Sequence, residues 1–357
     1  MGISDSGAGG PGAAADDLPH VAVLLLNWNA WGITVECLES LFRLEYPRLT
    51  VVLCDNASTD GSVDRFREWA NGTFVPELVV QPRLRHLSHP PAPKPIEMTE
   101  YTRAEAESLT VGPVAVPLVL IHNGGNIGYA GGNNVGMRYV AARGDIPLLL
   151  VLNNDIVVAP DSLRELVKCA SETPNVGAVG ATMFEYNAPD EVQALGGGAF
   201  SRRQLFPALV SSARRTGDRS AATHIDFISG ACLLAPTAAV IRAGMFDEAF
   251  YIYGEDIDLS LGLERLGLRL AYAPAAHIWH RGGGEKGYGN PKHDYLTVRN
   301  SLFLVRKYFP YMMPTAIVYL VYRMMLPKIM RRQWDRLAAV FRGWRDFRHG
   351  VVGKGSV

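Results

Sequence analysis

The stretch from Leu148 to Asp155 constrains the fold of this chain more than any other. Five apolar residues, beginning at Leu148, run directly into Asn153, Asn154 and Asp155. Such a run, bounded by polar residues, predicts a strand buried on both faces of a parallel sheet. Ligands of open α/β sheets bind beyond the carboxyl ends of the strands, so we expect Asp155 to face a substrate. A helix cap or a solvated turn residue is the alternative for a single acid.

A strand, a polar loop and a helix follow one another twice near the start of the chain. The apolar run 21–26 leads through Asn27-Trp28-Asn29 into a helix expected at 31–44, and the run 50–53 leads through the polar loop 54–62 into a second helix. This alternation predicts an α/β fold with a Rossmann-like, mostly parallel central sheet, flanked by helices and followed by a C-terminal helical extension. Further strands are expected at 78–81, 118–122, 176–180, 227–234, 269–273 and 277–279.

A proline-rich segment interrupts this pattern before the strand at 118–122. Seven prolines lie between Pro82 and Pro117, and no hydrophobic period runs through the segment. We expect an inserted surface loop at 82–117 with a short helix near 102–108. A lid over a site and a passive excursion are both compatible with a loop of this length.

Residues 123–136 form a glycine-rich stretch that enters a helix. The sequence NGGNIGYAGGNNVG is neither the dinucleotide motif GxGxxG nor a P-loop. A glycine-rich turn at a helix N-terminus can direct backbone N–H groups at a phosphate. Close packing of the helix on the sheet explains the glycines equally well.

Three acids stand at the start of a helix that is expected at 256–266. Glu255, Asp256 and Asp258 follow an aromatic run at 250–253. Acids at a helix N-terminus are usually caps that complement the helix dipole, which fits Glu255 and Asp258. A cleft-facing position for one of the three is the alternative.

Charge is distributed unevenly along a chain whose formal net charge is zero. From Arg299 to the end, twelve lysines and arginines stand against two acids, so this part carries ten net positive charges. The apolar run 312–326 is shorter than the ~20 residues that span a bilayer. Basic and aromatic residues alternate beyond it, which favours an anionic membrane surface over nucleic acid. Packing on the rest of the chain, or on a second subunit in a homodimer, stays open.

The cysteines and the first residues predict an intracellular protein. Cys37, Cys54, Cys169 and Cys232 form no CxxC pair, which indicates free thiols in a reducing compartment rather than a disulfide or a zinc site. Residues 1–18 lack the basic start of a secretory signal, and we expect a disordered leader there. The expected location is the cytoplasm, peripheral to the inner face of the cell membrane.

Taken in order, the polar motifs resemble those of family 2 glycosyltransferases, the inverting, nucleotide-sugar-dependent enzymes of the GT-A fold. The resemblance implies a catalytic domain at 19–293 and a basic, amphipathic helical region at 294–357. The Asn-Asn-Asp form and the loop around Asn126 are most similar to the bacterial rhamnosyltransferase branch, whose usual donor is dTDP-rhamnose. The insertion at 82–117 departs from the compact family pattern. The matching motifs are Asn27-Trp28-Asn29, Asp55 to Ser62, Asn126 to Asn134, Asn153-Asn154-Asp155, Gly254 to Leu259, and His280.

The resemblance implies a metal site and a site for the donor nucleotide. Asp155, the last residue of a DxD-like motif, and His280 would bind Mg²⁺ or Mn²⁺, which offsets charge on the leaving diphosphate. A partly buried histidine without a ligand is the alternative for His280. Asp55 would read the pyrimidine base. The implied donor-nucleotide contacts are Asn27, Asn29, Asp55, Asn126, Gly128, Asn153 and Asn154.

The resemblance also implies the reaction. Asp256 would take the proton of an acceptor hydroxyl in a single displacement that inverts the anomeric centre. Glu255, Gly230 and Trp279 would lie near the sugar or the acceptor. The implied reaction transfers a sugar, of which L-rhamnose is the favoured candidate, onto a cell-surface glycan or a lipid-linked acceptor. Alternatives are another donor (UDP-galactofuranose, UDP-GlcNAc or GDP-mannose), a nucleotidyltransferase, or a non-catalytic sugar-nucleotide scaffold.

Overall fold

One mixed β-sheet forms the centre of the molecule in the computed structural model. The structure describes residues 18–75, 77–78, 80–108, 116–200, 207–209, 225–282 and 289–356. The leader expected at 1–18 therefore lies outside the described residues, apart from Leu18. The strands described are β1 (Val21–Asn27), β2 (Leu49–Asp55), β3 (Met98–Thr102), β4 (Leu118–His122), β5 (Leu148–Asn153), β6 (Ile156–Val158), β7 (Val176–Glu185), β8 (Val192–Leu195), β9 (Gly197–Phe200), β10 (Pro207–Leu209), β11 (Phe227–Ile228), β12 (Cys232–Pro236) and β13 (Arg269–His280).

Helices connect these strands and continue beyond the last of them. Short 3-10 turns lie at Pro82–Leu84, Glu248–Phe250 and Pro310–Met312, and a π-helical segment lies at Leu320–Met325. The α-helices described are α1 (Trp31–Leu41), α2 (Ser62–Asn71), α3 (Arg85–Ser88), α4 (Arg103–Glu107), α5 (Gly128–Arg143), α6 (Ser162–Glu172), α7 (Thr237–Ala243), α8 (Glu255–Arg265), α9 (Pro291–Tyr308), α10 (Met313–Tyr319), α11 (Leu326–Met330) and α12 (Trp334–Arg348).

The sheet combines a parallel half with an antiparallel half. Its main path is β10-β9-β8-β7-β12-β5-β1-β2-β4-β3. The strands from β5 to β3 run parallel, whereas β12 runs antiparallel between β5 and β7. Strand β13 pairs with β7 in parallel and with β6 in antiparallel orientation. This confirms the predicted α/β architecture with a mostly parallel sheet at its centre.

Hydrophobic side chains cover the sheet on both faces, as the run 148–152 predicted. Along β5, Leu150 and Leu152 pack into one core, while Leu149 and Val151 pack into a second core on the opposite face. The alternation follows from the two-residue period of a strand. With both faces covered, a polar ligand can approach this strand at its end, where Asn153 lies.

The parallel register brings several polar strand ends to one edge of the sheet. Asn27 at the end of β1 lies beside Asp55 of β2, and Asp55 lies beside His122 of β4. Leu26 is paired with Asn153 of β5. The motifs that are far apart in the sequence are therefore adjacent in the fold.

The proline-rich segment contains a strand that the sequence pattern did not indicate. The strand expected at 78–81 is wrong for the described residues of that stretch, which have no strand conformation. The edge strand is instead β3, which pairs in parallel with β4. Its residues are partly exposed and do not form the buried apolar run used to identify the other strands. The short helix expected near 102–108 is confirmed as α4.

Two other stretches differ from the prediction in their continuity. The strand expected at 227–234 is broken into β11 and β12 by a turn at Ser229–Ala231, where the chain passes the start of α8. The two strands expected at 269–273 and 277–279 form one strand, β13, with a register shift between Ala273 and His277. Helix α1 ends at Leu41, before the predicted limit at 44.

The C-terminal helices pack on the part of the chain that carries the acids. Val340 and Phe347 of α12 share a core with Val298 of α9 and with Phe250 and Ile257. One face of α12 is thus covered by the chain itself, which is one of the alternatives left open by the sequence. Among the described residues, no helix is both long enough and apolar enough to cross a bilayer.

Candidate active site

A cavity of about 750 Å³ opens where the polar end of β5 meets the start of α8. Both Asp256 and His280 line it, although 24 residues separate them in the sequence and they lie on different elements. The lining residues are Tyr129, Asn153, Met183, Glu185, Val192, Gln193, Phe227, Ser229, Gly230, Ala231, Ile252, Tyr253, Gly254, Glu255, Asp256, Ile257, His280, Gly282, His293, Thr297, Asn300, Ser301 and Leu304.

Asp256 presents a carboxylate held by two backbone amides. Its Oδ2 accepts a hydrogen bond from the N–H of Gly230 at 3.0 Å, and its Oδ1 accepts one from the N–H of Ile257 at 2.9 Å. Burial raises the pKa of Asp256 above its usual range, and these amide bonds oppose that rise because they stabilise the charged form. The turn that breaks the strand at 227–234 thus provides one of the groups that orient this acid.

Glu255 is more deeply buried than its neighbour and less well bonded. It is 5% exposed, and its Oε2 has no hydrogen-bond partner among the described residues. Burial, and then the charge of Asp256, raise the pKa of Glu255 to about 8. Burial thus favours the protonated form of Glu255, and in that form the side chain can donate a hydrogen bond into the cavity.

Asp155 and His280 form a pair at the same cavity, which His280 lines and Asp155 contacts only through His280. Asp155 Oδ1 lies 3.2 Å from His280 Nε2, and both side chains are largely buried. The backbone carbonyl of Asp155 also accepts a hydrogen bond from the N–H of Arg281 at 3.0 Å. A carboxylate oxygen and an imidazole nitrogen at this separation suit a divalent cation such as Mn²⁺. Within the described part of the chain, no three His, Cys, Asp or Glu side chains form such a group.

Tyr129 and Asn153 form a chain of polar contacts between Gly230 and His280 in the cavity wall. The Tyr129 hydroxyl lies 2.9 Å from Asn153 Oδ1 and 2.8 Å from the carbonyl oxygen of Gly230. Asn153 Nδ2 lies 3.3 Å from His280 Nε2. Burial, followed by the charges of nearby acids, raises the pKa of Tyr129 well above its usual value, so the hydroxyl remains a donor. These contacts link the turn at Ser229–Ala231, which holds Asp256, to the pair formed by Asp155 and His280.

A sequence profile for a family described as "Glycosyltransferase like family 2" matches residues 100–293, more than half of the chain. The chain belongs to this family. A second profile, "Glycosyl transferase family 2", matches residues 22–88. Together they cover the strand ends, the Asp155 motif and the acids at the start of α8, which is the order of motifs on which the resemblance was based.

Rhamnosyltransferases are among the curated relatives of this glycosyltransferase. An N-acetylglucosaminyl-diphospho-decaprenol L-rhamnosyltransferase of Mycobacterium tuberculosis is 25% identical over an alignment of 202 residues, and the match covers 49% of this chain and 62% of the relative. The chain thus spans less than two thirds of that relative's length. Rhamnosyltransferase WbbL of Escherichia coli is 26% identical over 230 residues, which are 61% of this chain and 78% of the relative.

Solved structures identify the fold of the glycosyltransferase as GT-A. The mannosyltransferase PcManGT from Pyrobaculum calidifontis, solved with GDP-Man and Mn²⁺, matches with a TM-score of 0.53 at 16% identity. The match covers 94% of this chain and 88% of that one. At this identity the likeness concerns the fold, and the predicted GT-A fold is confirmed.

The loop after β2 holds itself in place through Asp55. Asp55 Oδ1 accepts hydrogen bonds from Asn27 Nδ2 at 2.8 Å and from the Ser58 hydroxyl at 2.6 Å, and its Oδ2 accepts one from the N–H of Ser58 at 2.8 Å. Asn27 is fully buried and also accepts a hydrogen bond from Thr34. Any part of Asn27 in donor binding would therefore act through Asp55. Both donor contacts remain predictions.

Asn29 and Asn154 extend this polar edge of the glycosyltransferase. The side chain of Asn29 accepts a hydrogen bond from the N–H of Thr59 at 2.7 Å. Asn154 Nδ2 donates to the Thr34 hydroxyl at 2.7 Å. These contacts place Asn29 beside the loop that follows β2 and Asn154 beside α1, and the expected nucleotide contacts of both remain predictions.

The glycine-rich stretch is used mainly for packing. Helix α5 begins at Gly128, and a Cβ on Gly132 would lie 2.5 Å from a methyl carbon of Leu26 on β1. The amides at its start already have partners, because Asn126 accepts from Gly128, and the carbonyl of Tyr251 accepts from Tyr129 and Ala130. The N–H groups of Gly128, Tyr129 and Ala130 are therefore not free to bind a phosphate. The expected diphosphate contacts of Asn126 and Gly128 remain predictions that these amides do not support.

Trp279 lies away from the cavity. Side chains alternate along β13, so His280 faces the cavity and Trp279 faces the other side. There the Trp279 ring stacks on Phe184 with centroids 5.6 Å apart, and its Nε1 donates to the carbonyl of Pro189. The expected sugar or acceptor contact of Trp279 stays a prediction, and this cavity does not support it. Gly230 and Glu255, by contrast, do line the cavity.

Tyr129 and Gln193 are among the cavity residues that the sequence analysis missed. Tyr129 stood within a motif that was assigned to the nucleotide as a whole. Gln193 lies 2.7 Å from His280 Nδ1 but comes from the stretch between the strands expected at 176–180 and 227–234, where no motif was found. A sequence signal existed for Tyr129, whereas none existed for Gln193.

Proposed function

We propose that this glycosyltransferase moves a sugar from a nucleotide-diphosphate donor to an acceptor hydroxyl with inversion at the anomeric carbon. The observation that carries the proposal is the shared cavity. Asp256 and His280 both line it, and Asp155 Oδ1 lies 3.2 Å from His280 Nε2. A single displacement requires a base on one side of the reacting carbon and a leaving group on the other.

Asp256 is proposed as the base. Its two amide hydrogen bonds favour the carboxylate and fix its direction, while burial keeps its pKa high enough to accept a proton from a hydroxyl as attack proceeds. Glu255, whose protonated form is favoured by burial, is proposed to donate a hydrogen bond to a hydroxyl of the donor or the acceptor from Oε2, which has no hydrogen-bond partner among the described residues. The two adjacent acids thus take different roles because their surroundings differ.

Asp155 and His280 are proposed to hold Mg²⁺ or Mn²⁺ together with the diphosphate of the donor. The cation would offset the negative charge that develops on the leaving group. The chain offers one carboxylate oxygen and one imidazole nitrogen at this place, so phosphate oxygens and water would complete the coordination. The nitrogen favours Mn²⁺ over Mg²⁺.

L-rhamnose from dTDP-rhamnose is the proposed donor sugar. The support comes from the two rhamnosyltransferases at 25% and 26% identity and from the Asn153-Asn154-Asp155 motif. Asp55 and the loop it organises are proposed as the nucleotide side of the site, because Asp55 lies at the same edge of the sheet as Asn153. UDP-galactofuranose, UDP-GlcNAc and GDP-mannose are the alternatives to be compared.

The proposed acceptor is a cell-surface glycan or a lipid-linked glycan at the inner face of the cell membrane. Ten of the fifteen large hydrophobic side chains that are exposed in the described chain lie between Tyr311 and Phe341, and we call these ten the C-terminal apolar patch. Exposed arginines are interspersed with them, including Arg323, Arg331 and Arg332. This combination fits the headgroup region of an anionic bilayer. A second copy of the chain is the alternative occupant. The patch consists of Tyr311, Ile317, Val318, Val321, Tyr322, Leu326, Ile329, Met330, Trp334 and Phe341.

A donor panel tests the proposed function. Thermal unfolding with each sugar nucleotide, with Mn²⁺ or Mg²⁺, should show the largest rise in melting temperature for dTDP-rhamnose, because a ligand that binds the folded state stabilises it. Release of nucleoside diphosphate in the presence of lipid-linked acceptors then measures turnover. A scaffold would bind without releasing it, and a nucleotidyltransferase would release pyrophosphate instead.

A further inference from the structure

A row of three polar side chains ends at His280, which is one member of the proposed metal pair. Glu185 ends β7, Gln193 lies on β8, and His280 ends β13, where the strand register places His280 beside Glu185. Gln193 Oε1 lies 2.7 Å from His280 Nδ1, and Gln193 Nε2 lies 3.1 Å from Glu185 Oε2. All three residues line the cavity that also contains Asp256.

The chemistry of these groups determines the direction of each hydrogen bond. A carboxylate accepts hydrogen bonds, so the NH₂ group of Gln193 must be the one that faces Glu185. The carbonyl oxygen of Gln193 then faces His280, and His280 Nδ1 must carry the proton that Gln193 accepts. In a neutral imidazole this leaves the lone pair on Nε2.

The other side of the imidazole meets one donor, which agrees with a lone pair on Nε2, and one acceptor, which agrees with it only when a cation lies nearby. Asn153 Nδ2, a donor, faces His280 Nε2 at 3.3 Å. Asp155 Oδ1, an acceptor, faces the same nitrogen at 3.2 Å. Two acceptors directed at one position repel each other unless a positive charge lies between or beside them. His280 Nε2 therefore presents a lone pair, and Asp155 presents a carboxylate oxygen, to the same position.

We propose that Gln193, oriented by Glu185, is a positioning residue that fixes His280 as the Nδ1-protonated tautomer, so that Nε2 can bind a divalent cation together with Asp155. The inference rests on the proposed function, since that function calls for the cation. Partners that hold the second nitrogen of a metal-binding histidine commonly fix its tautomer and ring orientation, and their loss weakens metal binding.

Replacing Gln193 by methionine tests the proposal. Gln193→Met keeps an unbranched side chain of similar length but removes the acceptor for Nδ1–H. Mn²⁺ affinity in the presence of dTDP, measured from the free-Mn²⁺ signal in electron paramagnetic resonance, should fall about 10- to 100-fold. Gln81→Met is the matched control, because Gln81 lies on the surface and caps the turn at Pro82–Leu84, and its Mn²⁺ affinity should equal that of the wild type.

An exchanged pair provides the rescue. In the double variant Glu185→Gln with Gln193→Glu, the amide and the carboxylate trade places, net charge is unchanged, and a carboxylate still accepts the proton on Nδ1. Mn²⁺ affinity should return to within about threefold of the wild type, a difference of less than 1 kcal/mol. If Gln193 acted only through packing, the double variant and Gln193→Met should have the same Mn²⁺ affinity, since both alter the side chains of the same wall.

Nitrogen NMR of ¹⁵N-histidine-labelled protein gives a readout that does not depend on metal. The His280 resonances, assigned by their loss in His280→Asn, should show the Nδ1-protonated tautomer in the wild type and in the exchanged pair, and a mixture of tautomers in Gln193→Met. Equal Mn²⁺ affinity and equal tautomers in the wild type and Gln193→Met would overturn the inference alone. A wild type that binds no Mn²⁺ with dTDP would overturn both the inference and the metal role in the proposed function.

Discussion

Two neighbouring acids, Glu255 and Asp256, differ in the hydrogen bonds that reach them. Asp256 accepts two backbone N–H groups, whereas Glu255 Oε2 has no partner among the described residues. Amide donors favour the charged form of an acid, and burial without donors favours the neutral form. The same pair of residue types thus yields a carboxylate suited to proton transfer beside an acid that keeps its proton.

Glu255→Gln is expected to reduce the pH dependence of stability. Folding raises the pKa of Glu255 from the usual 4.5 to about 8, so the folded chain retains a proton that the unfolded chain loses above pH 4.5. The stability from this group is present in full at acid pH and is lost as the pH rises through about 8. The wild-type free energy of unfolding should carry a component that falls by up to ~1.4 kcal/mol per pH unit between about pH 5 and 8.

Urea unfolding at several pH values measures this component. The free energy of unfolding should fall more steeply with pH in the wild type than in Glu255→Gln. Glu264 is an exposed acid in the same helix, and Glu264→Gln should have the slope of the wild type. Equal slopes for the wild type and Glu255→Gln would mean that Glu255 is ionised in the folded state.

The sequence predicted acids and strand ends better than it predicted their supports. Asp155 could be located because an apolar run ends at it, and Asp256 because it belongs to an ordered set of motifs. Gln193 could not be found, since an amide on a short strand carries no periodic signal. The expected contact of Trp279 gets no support from the cavity, because side chains alternate along β13 and the sequence leaves open which of them face the cavity.

At the scale of elements, buried strands were predicted well and the sheet edge was not. Strands β1, β2, β4 and β5 are apolar runs with both faces covered, so composition alone indicates them. Strand β3 has partly exposed residues, and its pairing with β4 depends on the position of the whole proline-rich segment. The break between β11 and β12 depends on α8, which is distant in sequence.

The contact between α9 and α12 depends on one glycine. A Cβ on Gly343 would lie 2.5 Å from the carbonyl oxygen of Tyr295, a backbone atom that cannot rotate away. Gly343→Ala should therefore destabilise the chain by roughly 1–3 kcal/mol, the usual cost of overpacking. The comparison is Gly32→Ala in α1, where nothing lies within 4 Å of the added carbon and a gain of up to ~1 kcal/mol is expected.

Chemical denaturation of both glycine variants decides between packing and propensity. If Gly343→Ala were as stable as Gly32→Ala, α12 would not be seated on α9 as the structure shows. Opposite signs for the two variants would support the contact, because alanine is favoured over glycine in a helix wherever space allows.

At the scale of the whole molecule, the basic C-terminal part has one covered surface and one exposed surface. One side of α12 packs on the catalytic part through Val340 and Phe347, and the C-terminal apolar patch is exposed. The charge asymmetry seen in the sequence predicted a surface for an anionic partner. It could not predict which residues of these helices are covered by the chain, since that depends on the docking of α9.

The apolar patch should bind anionic vesicles. The double variant Val318→Ser with Met330→Ser removes two side chains that are 68% and 76% exposed, and its affinity for phosphatidylglycerol vesicles should fall roughly tenfold. Val75→Ser, which removes a side chain that is 67% exposed elsewhere, serves as control and should bind like the wild type. Flotation at low and high salt measures the affinity, and salt should weaken it.

Equal flotation of the double variant and the wild type would exclude the patch as the membrane contact. Sedimentation of both proteins without vesicles addresses the other occupant. A wild-type dimer that dissociates in the double variant would assign the patch to a second copy of the chain.

Parallel measurement of donor binding and turnover in Asp256→Asn tests the central proposal most directly. The substitution keeps the shape of the side chain and removes its capacity to take a proton. Donor affinity with Mn²⁺ should stay within about threefold of the wild type, while release of nucleoside diphosphate in the presence of acceptor should fall by about two orders of magnitude or more. Turnover in Asp256→Asn close to that of the wild type would contradict the assignment of Asp256 as the base in glycosyl transfer.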